Sequence, residues 1–151
     1  MTQPKKPFET IAWKDGVVVM IDQRLLPREE TYNSYRDVEG VADAILTMVI
    51  RGAPAIGCAA AYGVALAAHV SKGATDAIGR DVRIACNLLA STRPTAVNLF
   101  WALDRMKAAL ESSAGLAPED VRRMLLDEAH AIHKEDVGRC RAMGRFGAEL
   151  V

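Results

Sequence analysis

Arg51-Gly52-Ala53-Pro54-Ala55-Ile56-Gly57 leads without interruption into Cys58-Ala59-Ala60-Ala61-Tyr62-Gly63-Val64-Ala65-Leu66-Ala67-Ala68, and this stretch decides how the chain is read. Gly52 permits a backbone turn closed to other residues. Pro54 suits the first position of a helix, where its missing N–H and fixed φ cost nothing. The helix so opened starts one turn from the permanently charged guanidinium of Arg51. Unpaired amides and the positive end of the helix dipole point outward there together, so such an end attracts anions, phosphate above all. Ala55, Ala59, Gly63 and Ala67 recur at i+4 as a ridge of small residues that lets a neighbouring helix approach closely, beside a bulkier ridge of Tyr62, Leu66 and Val70. From Ala53 to Val70 no residue is charged, which just reaches membrane-spanning length. Alanine and glycine contribute little transfer energy, and no comparable segment accompanies this one. The expectation is therefore a buried helix in a soluble core, with no membrane partner.

Composition supports a folded core. Apolar residues make up 50% of the chain and charged residues 25%, a globular balance rather than a disordered one. Nineteen basic residues cancel nineteen acidic ones, so there is no electrostatic footprint for nucleic acid, and a bound anion needs a local site. Cys58, Cys86 and Cys140 are odd in number, widely spaced and set in apolar helical surroundings. They read as reduced core residues of a cytoplasmic protein. Lys5 and Lys6 are followed by no apolar stretch, so no signal peptide is expected.

Outward from the central helix, residues 10–13 and 17–22 flank Asp15-Gly16 and predict a β-hairpin, closed by Leu25-Leu26-Pro27, with 31–35 as a short third strand. Strand signals do not return. Asp37 is an N-cap for a helix carrying Val38, Val41, Ala42, Ile45 and Val49, expected to run directly into Arg51. A third helix covers 75–90. Arg93-Pro94 then repeats the arginine-and-proline device: Pro94 is expected to open a helix with Leu99, Leu103, Met106 and Leu110 on one face, while Val97, Phe100 and Trp101 bury a second. Two arginines at two helix starts can converge on one phosphate, gripped bidentately, if the helices lie side by side. Pro118 opens a helix with acids in its first turn and a Val121, Leu125, Ile132 stripe. A final helical stretch carries Val137, Cys140, Met143 and Leu150. The fold class is mainly α with a small N-terminal antiparallel sheet: 1–36 the sheet subregion, 37–151 the helical bundle, one domain together. The chain reads as cut at Val151 rather than finished.

Ile50 to Gly57, Ala59-Ala60-Ala61-Tyr62-Gly63, Arg93-Pro94-Thr95-Ala96-Val97-Asn98-Leu99, Ile21-Asp22-Gln23 and Leu26-Pro27 closely resemble the S-methyl-5-thioribose-1-phosphate isomerases of methionine salvage. The resemblance covers essentially the whole chain but only that family's N-terminal part. It implies a helical domain joined to a Rossmann-like C-terminal domain, absent here, in a homodimer that interconverts an aldose 1-phosphate and its ketose with no dissociable cofactor. The substrate-binding residues it carries over are Arg51, Gly52, Ala53 and Arg93. It implies a catalytic cysteine and aspartate in the absent domain; none of Cys58, Cys86 or Cys140 lies in the cysteine motif. No catalytic residue is expected in this chain, which alone is expected to be inactive. Moving a proton or hydride between C1 and C2 needs an acid/base pair and exclusion of water, whereas holding the phosphate needs cations and amides that do not titrate.

Other readings stand beside these. From spacing alone Arg51 serves equally as an anion ligand or as the partner of a carboxylate, and Arg93 by default as a surface ion pair. His130 and His133 with Glu128 are thin support for a metal, and a solvated face is the default, so no metal site is assigned. Cys58 near a helix start could have a lowered pKa, but burial among alanines favours an inert thiol. Gly57 and Gly63 read as packing residues, Trp13 and Trp101 as core anchors. The alternative functions are an isomerase of another 1-phosphorylated pentose (5-deoxyribose 1-phosphate or ribose 1,5-bisphosphate) and a non-catalytic module, since the fold family also includes regulatory subunits of the translation-initiation exchange factor.

Overall fold

The computed structural model describes residues 8–150; the stretch 1–7, on which the reading of the N-terminus rests, and Val151 lie outside them. Strands β1 (Ile11–Lys14) and β2 (Val17–Ile21) pair antiparallel with Lys14 opposite Val17, so Asp15-Gly16 is the entire loop. Both loop residues have positive φ, 49° and 79°, as the two-residue hairpin turn that matches strand twist requires. The expected third strand, β3 (Tyr32–Tyr35), pairs antiparallel with the other edge of β2.

Five helices follow: α1 (Val38–Leu46), α2 (Ala53–Val70), α3 (Thr75–Thr92), α4 (Val97–Ser112) and α5 (Pro118–Ala148). The side chain of Asp37 accepts from the Gly40 amide at 2.8 Å and caps α1 as expected. That helix does not run into Arg51. It stops at Leu46, and Met48 takes the left-handed conformation (φ 61°). Val49 still reaches the core, but from a non-helical turn in which the Ile50 amide donates to the Ala44 carbonyl.

The core is organised around α2, which touches all four other helices and two strands. Every residue from Ile56 to Ala68 is buried. The helix is long and apolar enough to cross a bilayer, but protein already surrounds it. Its glycines mark the close approaches. A Cβ on Gly57 would stand 3.0 Å from the backbone oxygen of Asn98 in α4, and one on Gly63 would stand 3.1 Å from both Leu89 of α3 and Val41 of α1. The hairpin joins the same core through Ile11, Val18 and Met20. At the far end of α2, Arg122 of α5 donates to the carbonyls of Ala68 (3.1 Å) and Ser71 (2.8 Å), satisfying oxygens that the helix itself leaves open.

Three expectations need correction. Pro94 does not open α4. It lies in a turn closed by the Ala96 amide on the Arg93 carbonyl (3.0 Å), and Arg93 is the C-cap of α3 with non-helical backbone (φ −144°, ψ 83°). A proline disfavours helical backbone in the residue before it, so the pair ends one helix rather than starting the next. Val97, Phe100 and Trp101 do not bury a second face of α4; they are 77%, 37% and 39% exposed. Finally, the two C-terminal helical stretches are one helix of 31 residues, about 46 Å long against about 27 Å for the 18-residue α2 and α3. It overruns its partners: its buried stripe ends at Ile132, leaving Cys140, Met143 and Leu150 exposed.

These approaches separate two glycine substitutions. Gly57→Ala should destabilise the chain by about 1–2 kcal/mol in urea denaturation, because the clash is with backbone and outweighs the gain in helix propensity. Gly138→Ala in α5 meets nothing within 4 Å and should stabilise by about 0.5–1 kcal/mol.

Candidate anion-binding site

The site begins with the loop before α2. Gly52 sits at φ 93° and ψ 128°, and a Cβ there would meet nothing within 4 Å; glycine is required for conformation, not for space. Ala53 is the first helical residue and Pro54 the second, one place later than expected. Arg51, Gly52 and Ala53 are all exposed. The loop is braced from the sheet side by a residue to which the sequence gave no role. The Gln23 amide donates to the Val49 carbonyl (2.9 Å), while its side-chain oxygen accepts from the Arg51 amide (2.9 Å). Gln23 thereby holds the chain on both sides of Ile50. It is itself fixed by its neighbour, buried Asp22, which accepts from the Arg24 amide (3.1 Å), Arg24 Nε (2.9 Å) and Nη2 (2.6 Å), and Asn33 Nδ2 (3.3 Å). The Arg24 guanidinium holds the Asp22 carboxyl below the usual carboxylate range.

The starts of α2 and α4 are neighbours, joined where Gly57 meets Asn98. They also differ from the other helix starts. Asp37 and Glu39 complement α1, Asp76 complements α3, and Glu119 and Asp120 complement α5. Neither α2 nor α4 has a capping side chain or an acid in its first turn. Two uncapped positive helix ends therefore lie together. Among the described residues, the ion pairs include neither Arg51 nor Arg93, the second of which is half-buried at the turn leading to α4.

Beside these ends runs a groove of about 520 Å³ lined by Pro54, Asn98, Trp101, Arg139, Met143 and Phe146. Trp101 is a wall rather than the expected core anchor: the guanidinium carbons of Arg105 and Arg139 stand 5.2 and 5.9 Å from its ring centroid. Arg105 also ties α4 to α5, donating to Glu128 (2.7 Å) and through both terminal nitrogens to Glu135 (2.8 and 3.1 Å). Glu128 is thus engaged away from His130 and His133, whose Nδ1 atoms lie 3.1 and 2.9 Å from the Tyr62 hydroxyl. The thiols of α2 and α3 are not nucleophiles: burial pushes Cys58 up to about 12 and Cys86 to about 11.

The family described as the initiation factor 2 subunit family matches residues 49–151. The chain belongs to the initiation factor 2 subunit family. Within it, the chain is 53% identical over 147 residues to a methylthioribose-1-phosphate isomerase of Syntrophotalea carbinolica and 51% identical over 145 residues to one of Geotalea uraniireducens. These matches cover 97% and 95% of the chain but 42% of each relative. The chain spans less than half the length of the curated relatives it matches. The crystal structure of 5-methylthioribose 1-phosphate isomerase from Pyrococcus horikoshii aligns with a TM-score of 0.92 at 43% identity, over 97% of this chain and 41% of that one. Translation initiation factor eIF-2B, subunit delta, from A. fulgidus aligns with a TM-score of 0.88 at 42% identity, over 96% of this chain and 42% of that one. Both alignments run over nearly the whole of this chain, sheet and helices included.

Removing the brace tests its role. Gln23→Ala leaves the Arg51 amide without its partner, so hydrogen exchange at that amide should accelerate about tenfold and stability fall by about 1 kcal/mol. Exchange at the core amides of α2 should change only in proportion to global stability.

Proposed function

We propose that this chain is the phosphate-gripping part of an aldose–ketose isomerase that converts 5-methylthioribose 1-phosphate to 5-methylthioribulose 1-phosphate in methionine salvage. The observation that carries the reading is the contact between the two uncapped helix starts, α2 and α4, with Arg51 and Arg93 leading towards them. In this reading the amides of Gly52 and Ala53 and the two guanidinium groups receive the phosphate oxygens. Guanidinium groups and backbone amides are donors of fixed charge, so such a grip is constant while the sugar reacts. The binding energy gained at the phosphate orients C1 and C2 for an acid/base pair that this chain does not supply. The names of the relatives, at about half identity along nearly the whole chain, support the substrate. We take the sheet and the helical body as one unit, acting in the cytoplasm within a homodimer of longer subunits, without a dissociable cofactor.

A second reading draws on the likeness to the initiation-factor subunit: a regulatory module acting through protein contacts. The Arg51-Gly52-Ala53 turn favours the enzymatic branch, because an exposed glycine at positive φ, beside an arginine that joins none of the ion pairs among the described residues, suits a small anion. Other 1-phosphorylated pentoses remain substrates to compare.

In a protein extended to the full length of its relatives, Arg51→Ala and Arg93→Ala should each raise KM for 5-methylthioribose 1-phosphate about 10- to 100-fold, the loss of one charge-assisted contact. A panel of 1-phosphorylated pentoses assayed beside it identifies the sugar, and unchanged KM in both variants removes the proposed grip.

A further inference from the structure

Tyr62 is 1% exposed, and its hydroxyl meets two imidazoles from α5, His130 Nδ1 at 3.1 Å and His133 Nδ1 at 2.9 Å. A phenol has one hydrogen to give. It donates to one ring nitrogen and accepts an N–H from the other, so the two neutral imidazoles are opposite tautomers. The arrangement survives a first proton, which goes to the outward nitrogen of the ring that already donates. It does not survive a second: both Nδ1 atoms then carry hydrogen, the phenolic hydrogen loses its only acceptor, and two cations stand within about 6 Å of each other beside a buried aromatic ring.

The position of this contact gives it leverage. Ile132 is the last buried residue of α5, and the groove-lining residues Arg139, Met143 and Phe146 follow on the same helix. Besides the Arg139 guanidinium over Trp101, two hydrogen-bonded ties hold α5 at this level: the imidazole pair on Tyr62, and Glu128 and Glu135 on Arg105. We propose that Tyr62, His130 and His133 form an acid-released clasp between α2 and α5, closed while at most one imidazole is charged and open when both are, which sets how tightly the distal half of α5 lies over the groove.

The groups facing the clasp divide by sign. Glu9, before β1, and Asp136, on α5, favour the charged form of His133; burial and the neighbouring His130 oppose it, and burial is the largest effect, so His133 lies below the ordinary imidazole value. From α2, Cys58 and Tyr62 are held neutral, their pKa values raised by burial. His69 lies one ring further on, its edge against Trp13, which in turn stacks on Tyr62. With His133 depressed, the unfolded or opened chain takes the second proton more readily. The stabilisation is complete above the ordinary imidazole value of about 6.5 and is lost as pH falls from there through the lowered value of His133. Glu135 is shifted the other way, held down by Arg105, so the second tie stays charged across this window. Acid should therefore loosen one of the two ties while the other persists.

Two measurements on the full chain decide this. In the wild type at pH 7.5, nitrogen NMR of the imidazoles should find His130 and His133 in opposite tautomers, one protonated at Nδ1 and the other at Nε2; identical tautomers overturn the clasp. Amide hydrogen exchange, corrected for intrinsic rates, should show opening of residues 134–148 rising several-fold between pH 7.5 and 5.5 relative to 118–129. In Tyr62→Phe the distal half should already be open at pH 7.5, with a ratio near one between the two conditions. A Tyr62→Phe chain that keeps the wild-type ratio overturns the proposal.

Discussion

A helix buried on every side cannot choose its neighbours by a polar face, and this constraint governs the molecule. Apart from the Tyr62 hydroxyl, α2 offers only apolar surface from Ile56 to Ala68, so its contacts are selected largely by shape: glycine where α4 or the junction of α1 and α3 comes closest, and Tyr62 where the hairpin and α5 leave room for a ring. Close packing of this kind is sensitive to single carbon atoms. It also fixes the axial position of α2 against its partners, and hence where its N-terminus emerges.

That emergence connects fold to chemistry. Positive potential at a helix start is normally neutralised locally, as Asp37 does for α1 and the Glu119 and Asp120 pair does for α5. Leaving two adjacent starts bare costs some stability and keeps their amides available to a ligand. Gln23 then performs a task distinct from binding. It sets the backbone from which the Arg51 side chain projects, so that the cation is held by the sheet on one side and by the core helix on the other. The candidate anion site thus draws on three elements of secondary structure, although the contacts proposed for it come from two short loops.

Features governed by neighbours in the chain were legible from sequence: Asp15-Gly16 specifies the hairpin, Asp37 caps α1, and the uncharged run of α2 announces its burial. Features governed by distant partners were not. Gln23 lies 28 residues from the amide it receives, and an uncharged polar residue after a strand carries no mark of such a role. The helix start expected at Pro94 fails for a local reason. Arg51 stands three residues before its proline with a glycine between, while Arg93 abuts Pro94 and is driven out of helical backbone, so similar strings end one helix and begin another. The distal half of α5 shows a different limit. The apolar spacing of Cys140, Met143 and Leu150 marks one side of a helix but does not reveal whether anything in this chain reaches far enough to cover it.

The two tryptophans occupy opposite surroundings. Trp13 stacks on Tyr62 with ring centroids 6.3 Å apart and meets the edge of His69, while Trp101 stands between α4 and α5 beneath two guanidinium groups. Their indole rings consequently report on two separate parts of the same molecule. One fluorophore is sensitive to the seam between sheet and core, and the other to the wall of the groove, so displacement of the long helix and loss of the hairpin would leave different spectral traces without any added label.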